Sequence, residues 1–450
     1  MPPSRQALVL FFFALLLSPI LSQTLAAGEK EAMPSRWTAQ EAVQFALQHN
    51  PDARAALERI HAADADIRSA KAAFYPQLGV SAEYSRTNNP MYSFGNILNQ
   101  GMFSNTIDFN KPGITDTLQT KATVQYRLYN GGHDQAALDA AGQRSQATQH
   151  EQSAIRSRLG FEVVRVFYTI VQGEETVRAR KAAVEAISAS LAVAQARFQE
   201  GSLLKEDLLN LEVQQAKAQE QLIQAQHGLS LAQQGFLHLL GIPRGEARLD
   251  TSASQVQDVP VERDIHNRPE LASMAAMVKA QEAAVRQARA GNYPSADAFG
   301  SYQIDKGLEL DDGSGNSWTT GLRLNYTLFN GQQTAAATDR AKAQLAEAKE
   351  QQRKMELGFN LEFEQASLAL NQEIERLKVT LKMVESALES ARLARIRFKE
   401  GVLLSSELIN TENRLTDAHI SHALASASRK IAVADLRRAV GLAQFNQGVK

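Results

Sequence analysis

The sequence predicts a mixed α and β membrane protein with an internal two-fold repeat. Segments 194–210 and 394–410, which lie 200 residues apart, are identical at nine of their 17 positions. Proline is absent from residues 113–242 and 295–450, and because proline breaks helix interiors, both stretches can hold very long helices. Segments of about 9–12 residues alternate between apolar and polar residues, which is the pattern of transmembrane barrel strands. One structural unit of helices and strands therefore occurs twice.

Residues 1–26 are predicted to form a secretory signal peptide. Arg5 precedes an apolar stretch over residues 7–21, and small residues around Ala26 offer a cleavage site. The apolar stretch, about 15 residues long, is shorter than the roughly 20 residues that span a bilayer. We therefore expect an exported protein that is cleaved after Ala26 or Ala27.

The composition and the motifs exclude several classes of protein. The chain has no cysteine, so it forms no disulfide and cannot carry a lipid on a cysteine. Its formal net charge of -1 argues against a nucleic-acid partner. Because the sequence lacks P-loop, H-E-x-x-H and G-x-S-x-G motifs, we expect no enzyme, no cofactor and no metal. His419 and His422 would allow part of a metal site, but a solvated helix face is favoured.

Each half is predicted to contain a long helical hairpin, over residues 131–241 and 331–441. The first helix of each hairpin has about 70 residues that are rich in strong helix formers. At roughly 1.5 Å per residue, such a helix is about 105 Å long. Gly201 and Gly401 follow these helices and are predicted to cap their C-termini. Many core-facing positions are alanine, which predicts close helix packing, as in a coiled coil.

A shorter helix and two strands are predicted before each hairpin. The helices are expected over residues 39–73 and 269–290, and each is followed by a Tyr-Pro pair. The strands are expected at about 77–87, 117–128, 295–305 and 317–328.

The predicted strands are apolar on one face and polar on the other, except that Phe299 interrupts the third. A soluble sheet packed on a core has the same period and is the alternative. A signal peptide without a later transmembrane helix favours a barrel whose polar residues face the lumen. Known barrels begin at about eight strands, and open strand edges are not tolerated in lipid. A chain with four strands must therefore oligomerise.

In these features the chain resembles the TolC-like family of outer-membrane efflux proteins, also called outer-membrane factors. The resemblance covers about residues 36–445 and rests on three duplicated motifs. They are Tyr-Pro before the first strand of each half, Leu-Tyr/Phe-Asn-Gly after the second, and Arg-Phe-x-Glu-Gly-x-Leu-Leu at each hairpin tip. The resemblance implies a homotrimer whose three chains each give four strands to a 12-stranded outer-membrane β-barrel. That barrel would continue into a long periplasmic α-helical barrel.

The resemblance implies the function of an outer-membrane exit duct in a tripartite efflux or type I secretion system. The expected partners are two further copies of the chain, a periplasmic adaptor (membrane fusion) protein, an inner-membrane transporter and outer-membrane lipid, but no nucleic acid. The expected location is the outer membrane, with helices extending into the periplasm. The alternative is a periplasmic coiled-coil adaptor or structural protein outside the membrane, which explains the helices but not the amphipathic strands.

The repeat and the resemblance together divide the chain into five parts. These are a signal peptide (1–26), a first repeat (36–241), an inter-repeat linker (242–264), a second repeat (265–441) and a short C-terminal tail (442–450).

The resemblance also places a candidate pore constriction near the hairpin tips. In the family the tunnel narrows there between acidic residues, and here Asp207 and Glu407 lie six residues past the tip glycines. Asn210 and Asn410 follow three residues later, on the same helical face. Three chains would set rings of carboxylates around the axis, which favour cations. Alternatively, both acids are solvated residues at helix starts, where the helix dipole favours them.

The exposed tips are the candidate contact for the adaptor. The candidates are the tip glycines and the leucines that follow them: Gly201, Leu203, Leu204, Gly401, Leu403 and Leu404. Exposed apolar residues suggest a partner surface, although these leucines would alternatively pack the hairpin turn.

Charged residues beside the turns are candidates for stabilising the tips: Arg197, Glu200, Arg397 and Glu400. Some relatives carry an arginine two residues past the second tip glycine and an aspartate nine residues past it. This chain has Leu403 and Asn410 at those positions, so it lacks the two residues that lock the closed tip in those relatives. Arg197, Arg397 and Lys205 are the candidate substitutes.

Overall fold

The computed structural model describes residues 34, 36–251, 258–260, 264–310 and 312–445. The predicted signal peptide 1–26 lies outside the described residues, as do parts of the predicted linker 242–264 and tail 442–450. The described helices and strands are, in chain order, α1 (Ala39–His49), α2 (Pro51–Lys71), β1 (Gln77–Thr87), α3 (Pro90–Asn99), β2 (Thr115–Tyr129), α4 (His133–Gln199), α5 (Lys205–Leu240), α6 (Pro269–Arg289), β3 (Ser295–Lys306), β4 (Ser314–Asn325), α7 (Gln333–Lys399) and α8 (Ser405–Ala439).

Two helices of equal length form the hairpins with their shorter partners. α4 and α7 have 67 residues each, which is about 100 Å at 1.5 Å per residue. α4 folds back onto α5, which has 36 residues, and α7 folds back onto α8, which has 35. Alanine supplies many of the buried positions of α8, so neighbouring backbones can approach closely. Among the described residues, no helix is both long enough and apolar enough to cross a membrane.

The single helix expected over residues 39–73 is wrong, because the chain breaks between α1 and α2. Asn50 separates them in an extended conformation, with ψ 132°. Its neighbour Pro51 excludes the helical conformation from the residue before it. The Asn50 side chain accepts a hydrogen bond from the N–H of Asp52 and donates one to the Leu239 carbonyl at 2.9 Å. The break therefore fastens the start of α2 to the end of α5.

The four strands form one antiparallel sheet in the order β1-β2-β3-β4. One row of directly paired residues on the apolar face is Val80, Ala122, Tyr302 and Trp318. The next row, on the polar face, is Ser81, Lys121, Gln303 and Ser317. The register thus gathers the apolar residues of all four strands on one side. Within the described part of the chain, the outer edges of β1 and β4 have no strand partner.

Phe299, which interrupts the alternation of β3, lies on the polar face. A Cβ atom on its partner Gly321 would come within 2.9 Å of the Phe299 ring, so the glycine provides the space that the ring occupies. The guanidinium carbon of Arg323 lies 5.2 Å from the ring centroid, which is a cation–π contact. The exception in the pattern is therefore a packed aromatic residue within a continuous strand.

Two details of the strands and loops differ from the expectation. β4 ends at Asn325 rather than near residue 328, because its partner β3 begins at Ser295, directly opposite Asn325. A short helix, α3, lies in the loop between β1 and β2, where no element is expected. It begins at Asn89-Pro90, a capping residue followed by proline at the first helical position. The sequence therefore carried a signal for this helix.

Three apolar clusters are found among the described residues, and the smallest joins α7 to α8 around Leu370 and Leu436. The largest cluster joins α1, α4 and α5 around Phe167, Phe236 and Leu240. The second, here called the tip cluster, comprises Leu191, Ala194, Leu208, Leu211, Ala394, Phe398 and Leu408. Because the tip cluster draws residues from all four hairpin helices, it holds the two tips of one chain together.

A buried ion cluster joins the start of α6 to α7 and α8. Arg268 is almost fully buried and donates to Glu362 at 2.8 Å and to Glu270 at 2.9 Å. Its guanidinium carbon lies 3.5 Å from the centroid of the Phe359 ring. Arg438 reaches the same Glu362 carboxylate at 3.1 Å. Burial raises the pKa of Glu362, but the hydrogen bonds and charges of the two arginines outweigh it and hold that pKa below its usual range.

Candidate functional site at the hairpin tips

The turns at the two hairpin tips have the same backbone geometry. At the first tip, the N–H of Gly201 donates to the Phe198 carbonyl at 3.0 Å. The N–H of Ser202 donates to the Arg197 carbonyl at 2.9 Å. These two bonds form a Schellman C-cap, which needs a residue with positive φ. Gly201 has φ 76° and Gly401, at the second tip, has φ 81°, so both glycines cap the helices as the sequence predicts.

The two leucines at each tip have different surroundings. Leu203 and Leu403 are partly buried and pack against the tip cluster. Leu204 and Leu404 instead expose 71% and 63% of their surface. Of the residues expected to contact the adaptor, the inner leucine of each turn therefore stabilises the hairpin, and the outer leucine is available to a partner.

Arg197 connects the two tips of one chain. Its Nη1 donates to the carbonyl of Phe398 at 3.1 Å, and its Nη2 donates to the carbonyl of Ser202 at 3.2 Å. Its guanidinium carbon lies 5.8 Å from the centroid of the Phe398 ring. A Cβ atom on Gly401 would come within 3.0 Å of Nη2, so the glycine also makes room for the arginine. One side chain of the first hairpin thus holds the last turn of α7.

The other charged candidates at the tips have few contacts within the chain. Arg397 is exposed, and its side chain forms no hydrogen bond or ion pair with any described residue. The carboxylates of Glu200 and Glu400 are likewise exposed and pair with none of the described side chains. Lys205 lies over the Phe198 ring, with Nζ 5.5 Å from its centroid. Arg397, Glu200 and Glu400 thus carry charges that no described residue of the chain pairs, whereas Lys205 is engaged with Phe198.

The acidic candidates for the pore lie in different environments. Asp207 is half-buried and accepts a hydrogen bond from the hydroxyl of buried Ser405, so its carboxylate lies where α5 meets α8. Glu407 is exposed, and together with Asn410 it lines a groove of about 380 Å³. Arg397 contributes to the same groove. The two carboxylates therefore differ within one chain, although the repeat places them at matching positions.

Sequence reasoning missed a buried ion pair in the second hairpin. Nη2 of Arg395, on α7, donates to Glu412, on α8, at 2.7 Å, and Glu412 is almost fully buried. The hydrogen bonds to Glu412 raise the pKa of Arg395. The first repeat has Gln195 and Glu212 at the matching positions, so the repeat gives no signal for this pair. It fixes α8 against α7 behind the tip.

A family model and individual known proteins match this chain in sequence. The model of a family described as outer membrane efflux protein matches residues 42–241 and 261–442. Protein CyaE of Bordetella pertussis is 25% identical over 423 residues, which cover 89% of this chain and 83% of that protein. Outer membrane protein OprJ of Pseudomonas aeruginosa is 25% identical over 419 residues, again covering 89% of this chain and 83% of that protein.

Solved structures of outer membrane channels share the fold. The CmeC outer membrane channel of Campylobacter jejuni superimposes with a TM-score of 0.81 at 17% identity, covering 94% of this chain and 92% of that one. The open MtrE outer membrane channel of Neisseria gonorrhoeae gives 0.74 at 18% identity, with 91% and 90% covered. The fold is that of trimeric channels in which a β-barrel is joined to an α-helical barrel, as the sequence predicts.

Proposed function

We propose that three copies of this chain, which belongs to the outer membrane efflux protein family, assemble with an adaptor and an inner-membrane transporter to expel substrates. The protein is an outer-membrane exit duct that extends into the periplasm. This location rules out the alternative of a periplasmic coiled-coil protein outside the membrane. Channels of the family are trimers that work with an adaptor and a transporter, and we assign this chain the same assembly. As a conduit, it would catalyse no reaction.

The main support for this proposal is the four-stranded sheet. On its apolar face, Trp318, Leu322 and Leu324 are largely exposed, and exposed apolar surface of this kind marks a membrane or a partner. Lipid does not tolerate unpaired strand edges, and the sheet has two within the described chain. Three copies supply 12 strands, which is enough to close a barrel. In a trimeric barrel, the apolar face would contact lipid and the outer edges of β1 and β4 would be paired.

Purification from membranes tests this assembly. We expect the protein in the outer-membrane fraction, and in mild detergent we expect a native mass of three mature chains. Recovery in the soluble periplasm, or a stable monomer in detergent, would contradict the proposal.

The outer leucines of the tips, Leu204 and Leu404, are proposed to bind the adaptor. Both are exposed at the end of the hairpins, beyond the tip cluster. Replacing both with serine should abolish export and adaptor recovery while the trimer level stays unchanged, since neither side chain stabilises the turn. As a matched control, Leu403→Ser removes an inner leucine and should loosen the tip itself. Full export with normal adaptor recovery in the double variant would place the contact elsewhere.

Asp207 and Glu407 are proposed to ring the tunnel entrance, with Asn210 and Asn410 beside them. Three copies of two carboxylates at matching levels would bring like charges close together, and such a ring attracts cations. Asp207 is held by the hydroxyl of Ser405, which orients its carboxylate without neutralising its charge. Of the candidate tip stabilisers, Arg197 is proposed to hold the two tips within the chain. Arg397, Glu200 and Glu400 are proposed to act between chains or toward the adaptor.

A further inference from the structure

We propose the register of the seam between neighbouring chains: β4 of one copy lies beside β1 of the next so that Arg323 is directly opposite Glu83. This register results when the contact that the two repeats make within one chain is transposed onto the seam. The inference rests on the proposed trimer, and it names the surface and the contacts through which a second copy binds.

The contact between β2 and β3 serves as the template. β2 is the second strand of the first repeat and β3 is the first strand of the second repeat, and they pair antiparallel. In their register, Thr123 lies opposite Ser301 and Val124 lies opposite Gly300. Each chain thus already contains one junction between the repeats, while the reverse junction, from second repeat to first, would lie between chains.

The sequence gives the offsets that transpose this register. β4 corresponds to β2 at an offset of 200, as the two Leu-Tyr/Phe-Asn-Gly motifs fix. β1 corresponds to β3 at an offset of 218, as the two Tyr-Pro motifs fix. Under these offsets, the pair Thr123 and Ser301 becomes Arg323 and Glu83. The neighbouring pair becomes Leu324 and Ala82.

The transposed register preserves both faces of the sheet. Leu324 and Ala82 belong to the apolar faces of their strands, and Arg323 and Glu83 belong to the polar faces. A slip of one residue would set apolar residues against polar ones, because side chains alternate along a strand. The two offsets come from different motifs, so their agreement on the faces is an independent check.

The charges at this seam are complementary, and neither forms an ion pair within the described part of the chain. The side chain of Glu83 is exposed and forms no hydrogen bond or ion pair with any described residue. Arg323 lies directly opposite Asp297, but that carboxylate contacts Arg127 at 3.5 Å, and the guanidinium of Arg323 contacts the Phe299 ring and forms no ion pair with a described residue. Opposite charges directly across neighbouring strands stabilise their pairing. The transposition also sets Tyr326, which has no strand partner among the described residues, opposite Val80 of the next copy and so extends β4.

Where the strands meet the helices, the second repeat again lacks a contact that the first repeat makes within the chain. A Cβ atom on Gly131 would come within 2.6 Å of Cβ of Tyr293, so this glycine fits closely against the second repeat. The matching Gly331 has no neighbour within 4 Å of that position. Under the same transposition, the open space at Gly331 receives Tyr75 of the next copy.

The hairpin tips repeat this asymmetry. Phe398 exposes 2% of its surface, because the first hairpin covers it, whereas the matching Phe198 exposes 37%. Arg197 donates to the carbonyl of Phe398, whereas the side chain of Arg397 has no partner among the described residues. The transposition sets Arg397 against Phe198 of the next copy. The uncovered residues are therefore those that a second copy would cover.

Disulfide trapping tests the register, and the chain has no cysteine of its own to interfere. In the variant Glu83→Cys with Arg323→Cys, mild oxidation of outer membranes should link chains into covalent dimers and trimers that reductant separates. Ser81→Cys with Asn325→Cys, the next pair on the same face, should link as well. Ser81→Cys with Arg323→Cys is the matched control, because these positions are diagonal and about 7–8 Å apart. It should link at least about tenfold more slowly, since such a distance exceeds disulfide reach.

The outcomes separate this inference from the proposed function. Native trimers in which neither direct pair links, or in which the diagonal pair links fastest, overturn the register and leave the trimeric duct intact. A monomeric native mass overturns the proposed assembly itself. A charge test covers variants that fail to fold: Glu83→Arg alone sets two arginines opposite each other at the seam and should lower trimer recovery at low salt by a factor of about 2 to 5. Adding Arg323→Gln should restore the recovery, and failure to restore it contradicts the register.

Discussion

Truncating Phe398 should open the second hairpin tip without unfolding the protein. The ring exposes only 2% of its surface and lies in the tip cluster with residues from all four hairpin helices. Replacing a buried phenylalanine by alanine costs about 3–5 kcal/mol. The tip is the far end of a hairpin about 100 Å long, so the cost falls on local opening of the turn rather than on the distant core. At about 1.4 kcal/mol per factor of ten, the open population should rise at least about 100-fold.

Amide hydrogen exchange on the purified trimer measures this opening. In Phe398→Ala, amides around Gly401 should exchange at least about 100-fold faster, while those around Phe167 in the largest cluster should keep their rates. Leu404→Ala is the matched control, because this leucine lies in the same turn but exposes 63% of its surface. Such surface substitutions usually change stability by less than about 0.5 kcal/mol.

Two results would refute this reasoning. Equal exchange in Phe398→Ala and Leu404→Ala would mean that the tip cluster does not hold the turn. Faster exchange throughout the chain would mean that the tip does not open independently of the rest of the protein.

Three further outcomes are expected. Replacing Asp207 and Glu407 together by alanine should reduce cation preference and block by trivalent cations in planar bilayers; unchanged selectivity would leave them as solvated residues. The pKa of Glu362 is lowered from the ordinary 4.5, so its stabilisation is present above that pH and is lost as the pH falls below it. Glu362→Gln should therefore flatten the acid side of a plot of Tm against pH, and an unchanged plot would contradict this assignment. Gly401→Ala should loosen its turn more than Gly201→Ala, in trypsin digestion, because both have positive φ but Arg197 crowds only Gly401.

Much of the fold could be predicted from the sequence, because the decisive signals are local and occur twice. Strand alternation depends on each residue and its immediate neighbours, and the register places Val80 and Trp318 on one face as the alternation predicts. The tip turns could be predicted because positive φ strongly favours glycine, which marks Gly201 and Gly401. The break at Asn50-Pro51 was also readable, since proline restricts the residue before it.

The candidate site was only partly predictable. The tip glycines and acids stand at fixed distances from repeated motifs, so their place along the hairpins followed from the sequence. The sequence did not show which leucine of a turn is buried and which is exposed, because Leu203 and Leu204 are adjacent and chemically identical. They differ in the direction in which each side chain leaves the turn, and whether that direction leads to the core depends on how the hairpin helices pack.

The sequence by itself determined the repeat, the hairpins, the amphipathic strands and the need for partners, because each follows from local pattern and from the cost of unpaired polar groups in lipid. The tertiary structure decided which copy of each repeated residue is satisfied within the chain. Arg197 and Arg397 occupy matching positions of the repeated Arg-Phe-x-Glu-Gly motif, yet the Arg197 side chain binds the Phe398 carbonyl, 201 residues away, and the Arg397 side chain forms no hydrogen bond or ion pair with a described residue. The physical reason is that one chain contains the junction from first repeat to second, while the reverse junction requires another chain.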